Sequence, residues 1–272
     1  MSLLSADLFH LRASLLREAA KHVKDVGFTS QALLKAMNNV EHDKQISANS
    51  ISAMFTRGFE AELVDFVVKD TTLKTQKHLD KKYSKNAIID RIAENEQQFL
   101  QNRFFTPKSK DIVVDAMTKK LELMAPFKHR WHEAVEIEYR MANVPYTLIS
   151  LAEFVDTVTY YADRMDSLNL LLAPAKQILV SKSISSFIPT SDADEGNKTS
   201  KSPAIQFLEK FVEGVSLSTG PHDGAGLSMT WYARRAKLGA IYGTCVTSYI
   251  GDSSVNAQET KQLVHQMADC MF

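Results

Sequence analysis

The sequence predicts an all-α protein, and three observations lead to that prediction. Glycine accounts for only 10 of the 272 residues, fewer than a chain rich in tight turns would carry. Apolar residues recur at spacings of three and four, which is the period of an amphipathic helix. No convincing strand, with apolar and polar residues alternating, is found.

Composition excludes several classes of protein. Lysine plus arginine equals aspartate plus glutamate at 32 each, so no net charge attracts nucleic acid. The two cysteines, Cys245 and Cys270, fit a reducing compartment and exclude both a disulfide scaffold and a cysteine-based zinc site. No apolar stretch reaches about 18 residues, so no membrane span is expected. The first residues are expected to form a helix of the fold and not a removable presequence.

The N-terminal segment, residues 1–60, predicts one long helix followed by two short ones. Gly27 ends the first helix, and Thr29 or Ser30 caps the second. A third short helix is predicted near residues 47–58, ending at a glycine. This order is the outline of a helix-turn-helix unit.

Five further helices are predicted after this unit. The fourth begins at Phe59, and its polar far end, residues 69–82, is expected to face solvent. The sixth runs from Lys108 to Met124 between two prolines, and the eighth begins at Pro145. Predicted inward-facing residues on the fifth to eighth helices include Ile88, Ile92, Phe99, Ile112, Val113, Met117, Leu121, Met124, Phe127, Trp131, Val135, Met141, Leu148, Val155 and Tyr161.

Residues 165–228 differ in composition and are predicted to be an inserted segment. On this interpretation residues 61–164 and 229–272 form one helical domain. An amphipathic helix is predicted near residues 203–215, with Ile205, Leu208, Phe211, Val212 and Val215 on one side. Two interpretations stay open: this face packs on the parent domain, or it contacts a membrane or partner.

The segment from Trp231 to Asp252 predicts a long helix with an aromatic pair and an arginine pair near its start. Its inward stripe comprises Leu238, Ile241, Tyr242, Cys245, Val246 and Tyr249. Of the two arginines, Arg234 and Arg235, at least one is expected to pair with an acidic neighbour such as Asp156 or Asp163. Consecutive helical residues point about 100° apart and cannot both serve one site. A last helix begins near Asp252.

The helix-turn-helix outline raises the possibility of a DNA-binding transcription regulator. The candidate recognition helix offers only Arg57 as a cation, and residues 28–60 carry three positive and three negative side chains. Since phosphate neutralisation supplies most DNA affinity, we expect no nucleic-acid binding.

A metal-dependent enzyme is the second alternative. His129, His132, Glu133 and Glu136 fall close to one helical face at separations of three, four and seven. A dinuclear carboxylate site needs a second Glu-x-x-His, which the sequence does not contain, so we expect a solvated charged face and no metal or other cofactor. No nucleophile with a plausible base is found either.

The motifs WYARRAKLGAIYG and GDSS, with LELMAPFKHRW, NVPYTLISL and YYAD, resemble a known family. The chain is similar to the coenzyme Q biosynthesis accessory family, number nine of that pathway, from about Leu11 to Met271 apart from the inserted segment. That resemblance implies an all-α, TetR-like fold, usually dimeric, that holds an isoprenoid-type lipid where TetR regulators hold effectors. It also implies a mitochondrial protein on the matrix side of the inner membrane, in peripheral contact with it. Family members usually continue beyond the position of Phe272 into an amphipathic membrane-binding helix.

The resemblance further implies a partner. Family members present a polyprenylated quinone intermediate to a membrane-bound di-iron demethoxyubiquinone hydroxylase. The expected partner-binding patch comprises Trp231, Tyr232 and Arg235, with Val158 and Tyr161 on the eighth helix.

We therefore expect a non-catalytic lipid-binding protein. Burial of apolar surface contributes about 25 cal/mol per Å², so an apolar pocket captures a prenyl tail without a charged anchor. The expected lipid-binding residues come from inward stripes of neighbouring helices: Met124, Phe127, Leu148, Leu151, Phe154, Val155, Leu238, Ile241, Tyr242 and Val246.

Overall fold

A computed structural model describes residues 3–40, 53–101, 103–181, 202–214 and 229–272, and these residues form helices and connecting turns without a strand. The predicted all-α class is confirmed. The helices are α1 (Leu3–Val26), α2 (Ser30–Val40), α3 (Phe59–Tyr83), α4 (Lys85–Glu94), α5 (Glu96–Leu100), α6 (Ser109–Met124), α7 (Trp131–Glu138), α8 (Val144–Ser181), α9 (Pro203–Gly214), α10 (Met229–Gly251) and α11 (Gln258–Met271). Short 3-10 turns, Ala125–Arg130 and Val255–Ala257, precede α7 and α11.

Packing groups the chain into two compact units. The first comprises the described residues of the ranges 1–75, 117–156 and 238–267, and the second comprises those of the ranges 76–116, 157–237 and 268–272. The divisions fall inside α3, α6, α8, α10 and α11, so each of these helices contributes one segment to each unit.

The turn between α1 and α2, in the first unit, depends on Gly27. This residue has φ +75, a left-handed conformation that favours glycine, and its N–H donates to the Val23 carbonyl. A Cβ built on Gly27 would lie 2.1 Å from the Glu133 Oε2. The predicted helix end at Gly27 is confirmed, and no residue with a side chain fits there without displacing Glu133.

The predicted third short helix lies largely outside the described residues. Its last part, residues 53–58, forms turns that end at Gly58, which has φ +86. The predicted unit over residues 1–60 and its TetR-like arrangement stay predictions.

The polar far end of α3 is exposed along most of its length, as expected, but one side of it is buried. Thr71, Thr72 and Thr75 are buried, together with Leu79. Each threonine hydroxyl donates to a carbonyl one turn back, as Thr75 does to the Thr71 carbonyl at 2.8 Å. Polar side chains satisfied within their own helix can be buried, which their polarity alone does not reveal.

The segment after α7 also departs from the prediction. Met141, expected inward, is 88% exposed. Because α7 ends at Glu138, the helical spacing that places Trp131 inward does not extend to Met141.

The eighth helix is longer than predicted from the sequence. α8 continues without a break to Ser181, through Pro174, whereas the sequence places the start of an insertion at residue 165. Pro174 is exposed, and so is Leu170, whose backbone carbonyl loses its hydrogen-bond partner because proline has no N–H.

Helix α9, from the predicted inserted segment, packs within the second unit against α4. Its apolar residues Ile205, Leu208 and Val212 are at most 1% exposed, and the Lys85 Nζ donates to the Val212 carbonyl at 2.7 Å. Packing on the parent fold is therefore the interpretation that the described part of this helix supports. Among the described residues, no helix combines the length and apolar content needed to cross a bilayer.

Candidate functional site

Three helices that carry the predicted lipid-binding residues are joined inside the first unit. The Lys120 Nζ on α6 lies 5.0 Å from the centroid of the Phe154 ring on α8. Phe154 in turn contacts Tyr242 on α10, with ring centroids 5.0 Å apart. The Tyr249 hydroxyl on α10 donates to the Leu121 carbonyl on α6 at 3.2 Å, which closes the triangle.

The ten predicted lipid-binding residues differ in burial. Phe127 lies apart from the triangle, since its ring faces Phe28 with centroids 6.4 Å apart. Leu148 is 58% exposed. The buried residues are Met124, Phe154, Val155, Leu238 and Ile241, and the half-buried ones are Phe127, Leu151, Tyr242 and Val246.

The side chains of α6, α8 and α10 pack directly against one another: the Phe154 and Tyr242 ring centroids are 5.0 Å apart, and Met124 and Leu238 are buried. A hollow of about 10 Å³, which is room for about one water, is lined by residues of α3, α7 and α8 such as Glu138, and by none of the ten predicted residues. A prenyl chain therefore needs the apolar side chains of α6, α8 and α10 to move apart before it can lie between them.

A larger cleft of about 920 Å³ lies elsewhere in the first unit, and none of the ten predicted residues lines it. Its lining mixes polar and apolar residues and includes Lys128, His129, His132 and Lys261. Two of these cations are already engaged: Lys128 donates to the Asp252 carbonyl, and Lys261 pairs with Glu122 at 3.2 Å.

Asp252 organises one edge of this cleft. Its carboxylate accepts the Ser254 N–H at 2.8 Å, and at the start of α11 it accepts both the N–H and the hydroxyl of Thr260. Burial alone would raise the pKa of Asp252, but the hydrogen bonds from Ser254 and Thr260 hold it well below its usual range. The last helix was predicted to begin near Asp252, but α11 begins at Gln258. Asp252 instead caps the first turn of α11 through its hydrogen bonds with Thr260.

Two ionisable side chains lie among the apolar ones, and the sequence analysis did not select them. Lys120 is 1% exposed, and burial lowers its pKa to about 7. Glu138 is half-buried, and burial raises its pKa to about 7. A signal for Lys120 was present, because it lies three residues after Met117 and four before Met124 on the inward stripe of α6.

The predicted partner-binding patch has an aromatic and cationic core in the second unit. The Trp231 and Tyr232 rings meet edge to face with centroids 4.8 Å apart, and Tyr232 is 48% exposed. The Arg235 guanidinium carbon lies 3.5 Å from the centroid of the Trp231 ring. These three residues are brought together, as predicted for one patch.

Val158 and Tyr161 are buried in the second unit. Val158 is fully buried and Tyr161 is 4% exposed, with its hydroxyl donating to Asp80 at 3.3 Å. In this structure neither side chain presents surface to a partner.

The structural arginine of the pair is Arg234. It donates to Asp163 and, at 2.9 Å, to Asp166, which ties α10 to α8 within the second unit. The prediction that one of the two arginines pairs with an acidic neighbour, Asp163 among the candidates, is confirmed.

The metal and DNA alternatives gain no support. Glu133 accepts the Phe28 N–H at 2.9 Å and pairs with Arg130 at 3.0 Å, so this carboxylate has a structural role. Within the described ranges, no group of three or more histidine, cysteine, aspartate or glutamate side chains could hold a metal ion. Arg57, the one cation of the candidate recognition helix, pairs with Asp65 at 2.8 Å and stacks on Tyr146.

The COQ9 family model matches residues 223–271, which include all of α10 and α11 and the Asp252 cap. No curated protein matches the chain.

Proposed function

Because the COQ9 family model matches residues 223–271, we propose that the chain is a COQ9-type protein of ubiquinone biosynthesis that binds lipid and is not itself catalytic. It holds a polyprenylated quinone intermediate between α6, α8 and α10 and presents it to the di-iron demethoxyubiquinone hydroxylase. The observation that carries this proposal is that the family match covers α10, the helix that contributes Leu238, Ile241 and Tyr242 to the apolar cluster.

The apolar cluster supports capture of a prenyl tail. Several isoprene units bury several hundred square ångströms of apolar surface, at about 25 cal/mol per Å². Since Phe154 and Tyr242 are in contact and Leu238 is fully buried, the lipid binds by displacing side chains that otherwise pack against one another. Leu148, which is exposed, lies where a tail can begin to contact α8 from outside.

The docking patch is formed by Trp231, Tyr232 and Arg235. Aromatic and arginine side chains carry much of the binding energy in protein interfaces, and here they stack on one another and are held ready for contact. Val158 and Tyr161 are buried, so a partner reaches them only if the side chains that cover them move.

We also propose where and in what form the protein acts. It is a homodimer with a TetR-like arrangement that contacts the matrix side of the mitochondrial inner membrane peripherally, because its lipid and its partner enzyme both reside there.

A pocket-filling variant tests lipid binding. Val246→Trp places a large ring at a half-buried position of the cluster, so we expect the amount of bound polyprenylated quinone to fall at least about tenfold relative to the unchanged protein. Val135→Trp, the same change at a half-buried position of α7 outside the cluster, is the control. Equal lipid binding by both variants would contradict the proposed pocket.

A further inference from the structure

Three polar side chains converge on the apolar cluster of the first unit. Lys120 lies on α6, Glu138 at the end of α7 and Tyr242 on α10. Of the carboxylates, Glu138 has the largest electrostatic effect on the pKa of Lys120, which it raises. The pKa of Tyr242 is raised mainly by burial and, to a smaller extent, by the charge of Glu138. The three groups are therefore electrostatic neighbours.

The Lys120 ammonium group has one N–H donor without a hydrogen-bond acceptor in the part of the chain that the structure describes. Its Nζ donates to the Val68 carbonyl at 2.8 Å and to the Thr72 hydroxyl at 2.6 Å. An ammonium group has three N–H donors, so these two bonds leave one, on a nitrogen that lies 5.0 Å from the centroid of the Phe154 ring.

A buried ammonium group is costly when its only partners are neutral. Among the described residues, no carboxylate lies within ion-pair distance of Lys120, although the side chain is 1% exposed. A methionine would fill the same volume without that cost, and replacing buried charges with apolar groups is often neutral or stabilising. Structural support of α3 alone does not explain a lysine at this position.

Glu138 and Tyr242 also have unused hydrogen-bonding capacity. No hydrogen bond joins the Glu138 carboxylate or the Tyr242 hydroxyl to another described residue. A few convergent polar groups within an otherwise apolar cluster are the usual composition of a site for a small molecule with an apolar body and a polar end.

Building on the proposed function, we propose that Lys120 and Tyr242 bind the oxygenated ring of the lipid. Lys120 and the Tyr242 hydroxyl donate to carbonyl or methoxy oxygens of the ring, the ring replaces Phe154 beside the Lys120 ammonium, and Glu138 balances that positive charge. The apolar residues of α6, α8 and α10 then hold the tail. On this proposal the prenyl tail binds without a charged anchor, as the sequence analysis expected, whereas the ring needs the charged Lys120.

This arrangement discriminates between ligands. A site built to hydrogen-bond a ligand oxygen rejects an analogue that lacks it, because the buried donors are then left unpaired. Lys120 therefore makes the site selective for a prenylated quinone over a plain isoprenoid hydrocarbon.

The test compares two probes on the full chain: a dimethoxybenzoquinone with a two-isoprene tail, and an isoprenoid hydrocarbon with the same tail and no ring. Lys120→Met is expected to weaken quinone binding about tenfold, the equivalent of one hydrogen bond, and to leave hydrocarbon binding unchanged. Lys119→Met, which alters a neighbouring lysine paired with Glu122 on the outer side of α6, is expected to change neither. Equal losses for both probes, or no loss for the quinone, would overturn the role of Lys120.

Tyr242→Phe keeps the ring of residue 242 and tests the same site if Lys120→Met does not fold. We expect it to weaken quinone binding selectively, by several-fold, and an unchanged quinone affinity would overturn the proposal. If the unchanged protein binds both probes equally, the ring site is wrong and the lipid-binding function stands. If it binds neither, the proposed function itself is wrong.

Discussion

The Arg235 guanidinium carbon lies 3.5 Å from the centroid of the Trp231 ring, which is the closest packing of a cation on an aromatic ring among the described residues. The stack already restricts the conformations of both side chains, so binding a partner costs less side-chain entropy. Arg234, next in the chain, is held by Asp163 and Asp166. One arginine thus anchors α10 in the second unit, and the other orients the tryptophan.

Trp231→Lys is expected to weaken association with the hydroxylase at least about tenfold, because loss of an interface aromatic commonly costs about 2 kcal/mol or more. Binding of the purified partners measures the effect, and circular dichroism reports the helical content, which we expect to be unchanged. Tyr139→Lys makes a comparable change at an aromatic residue that is 75% exposed in the first unit.

Unchanged association of Trp231→Lys, or an equal loss in Tyr139→Lys, would contradict the docking patch. Unfolding of Trp231→Lys would instead show that the ring belongs to the core of the second unit.

Gly27→Ala is expected to destabilise the protein by about 1–3 kcal/mol. The alanine would adopt φ +75, and its Cβ would lie within 2.1 Å of the Glu133 Oε2. Chemical denaturation measures the free energy of unfolding. Gly58→Ala is the matched control, because Gly58 has φ +86 but open space around the added Cβ.

The difference between the two glycine variants separates the clash from the backbone strain. We expect Gly27→Ala to cost more than Gly58→Ala, and Glu133→Ala to reduce that excess in the double variant. Equal costs at the two glycines would show that Glu133 does not constrain the α1–α2 turn.

Asp252→Asn is expected to lower the free energy of unfolding at pH 7 by about 1 kcal/mol, the usual cost of weakening a helix cap. The pKa of Asp252 is depressed in the folded protein, so its stabilising contribution is complete above the ordinary aspartate pKa of about 4. The contribution is lost as the pH falls below that value toward the folded pKa. The difference between the two proteins should therefore be constant from pH 7 to about pH 5 and shrink in stronger acid.

Denaturation at a series of pH values checks this prediction. Glu259→Gln, which removes an exposed carboxylate from the first turn of α11 without breaking the Asp252 bonds, should have the smaller effect. A larger effect at Glu259 would mean that the helix dipole, and not the cap, accounts for the stabilisation.

Much of the fold follows from local sequence signals. The bounds of α6 are predicted by Pro107 and Pro126, and the end of α1 by Gly27, because these residues restrict the backbone wherever they occur. An ion pair for one of the two arginines, with Asp163 among the candidate partners, was predictable because consecutive helical residues point about 100° apart and cannot both serve one site.

Other features depend on tertiary packing and were not predictable. The threonines of α3 are buried because their hydroxyls bond within the helix, and α8 continues through Pro174 because the lost hydrogen bond lies at the surface. Lys120 lies on an apolar stripe, and its hydrogen bonds to the Val68 carbonyl and the Thr72 hydroxyl depend on the packing of α6 against α3. The sequence thus selected the apolar residues of the candidate site and Tyr242, but not Lys120 or Glu138.

The most direct test of the lipid-binding function is native mass spectrometry of the full chain purified without added lipid, followed by extraction and identification of what it carries. Our account predicts a bound molecule with a polyprenylated, oxygenated ring, in a fixed ratio to the protein and strongly reduced in Val246→Trp but not in Val135→Trp. Protein that carries no lipid, and takes up none from vesicles containing polyprenylated quinone, would contradict it.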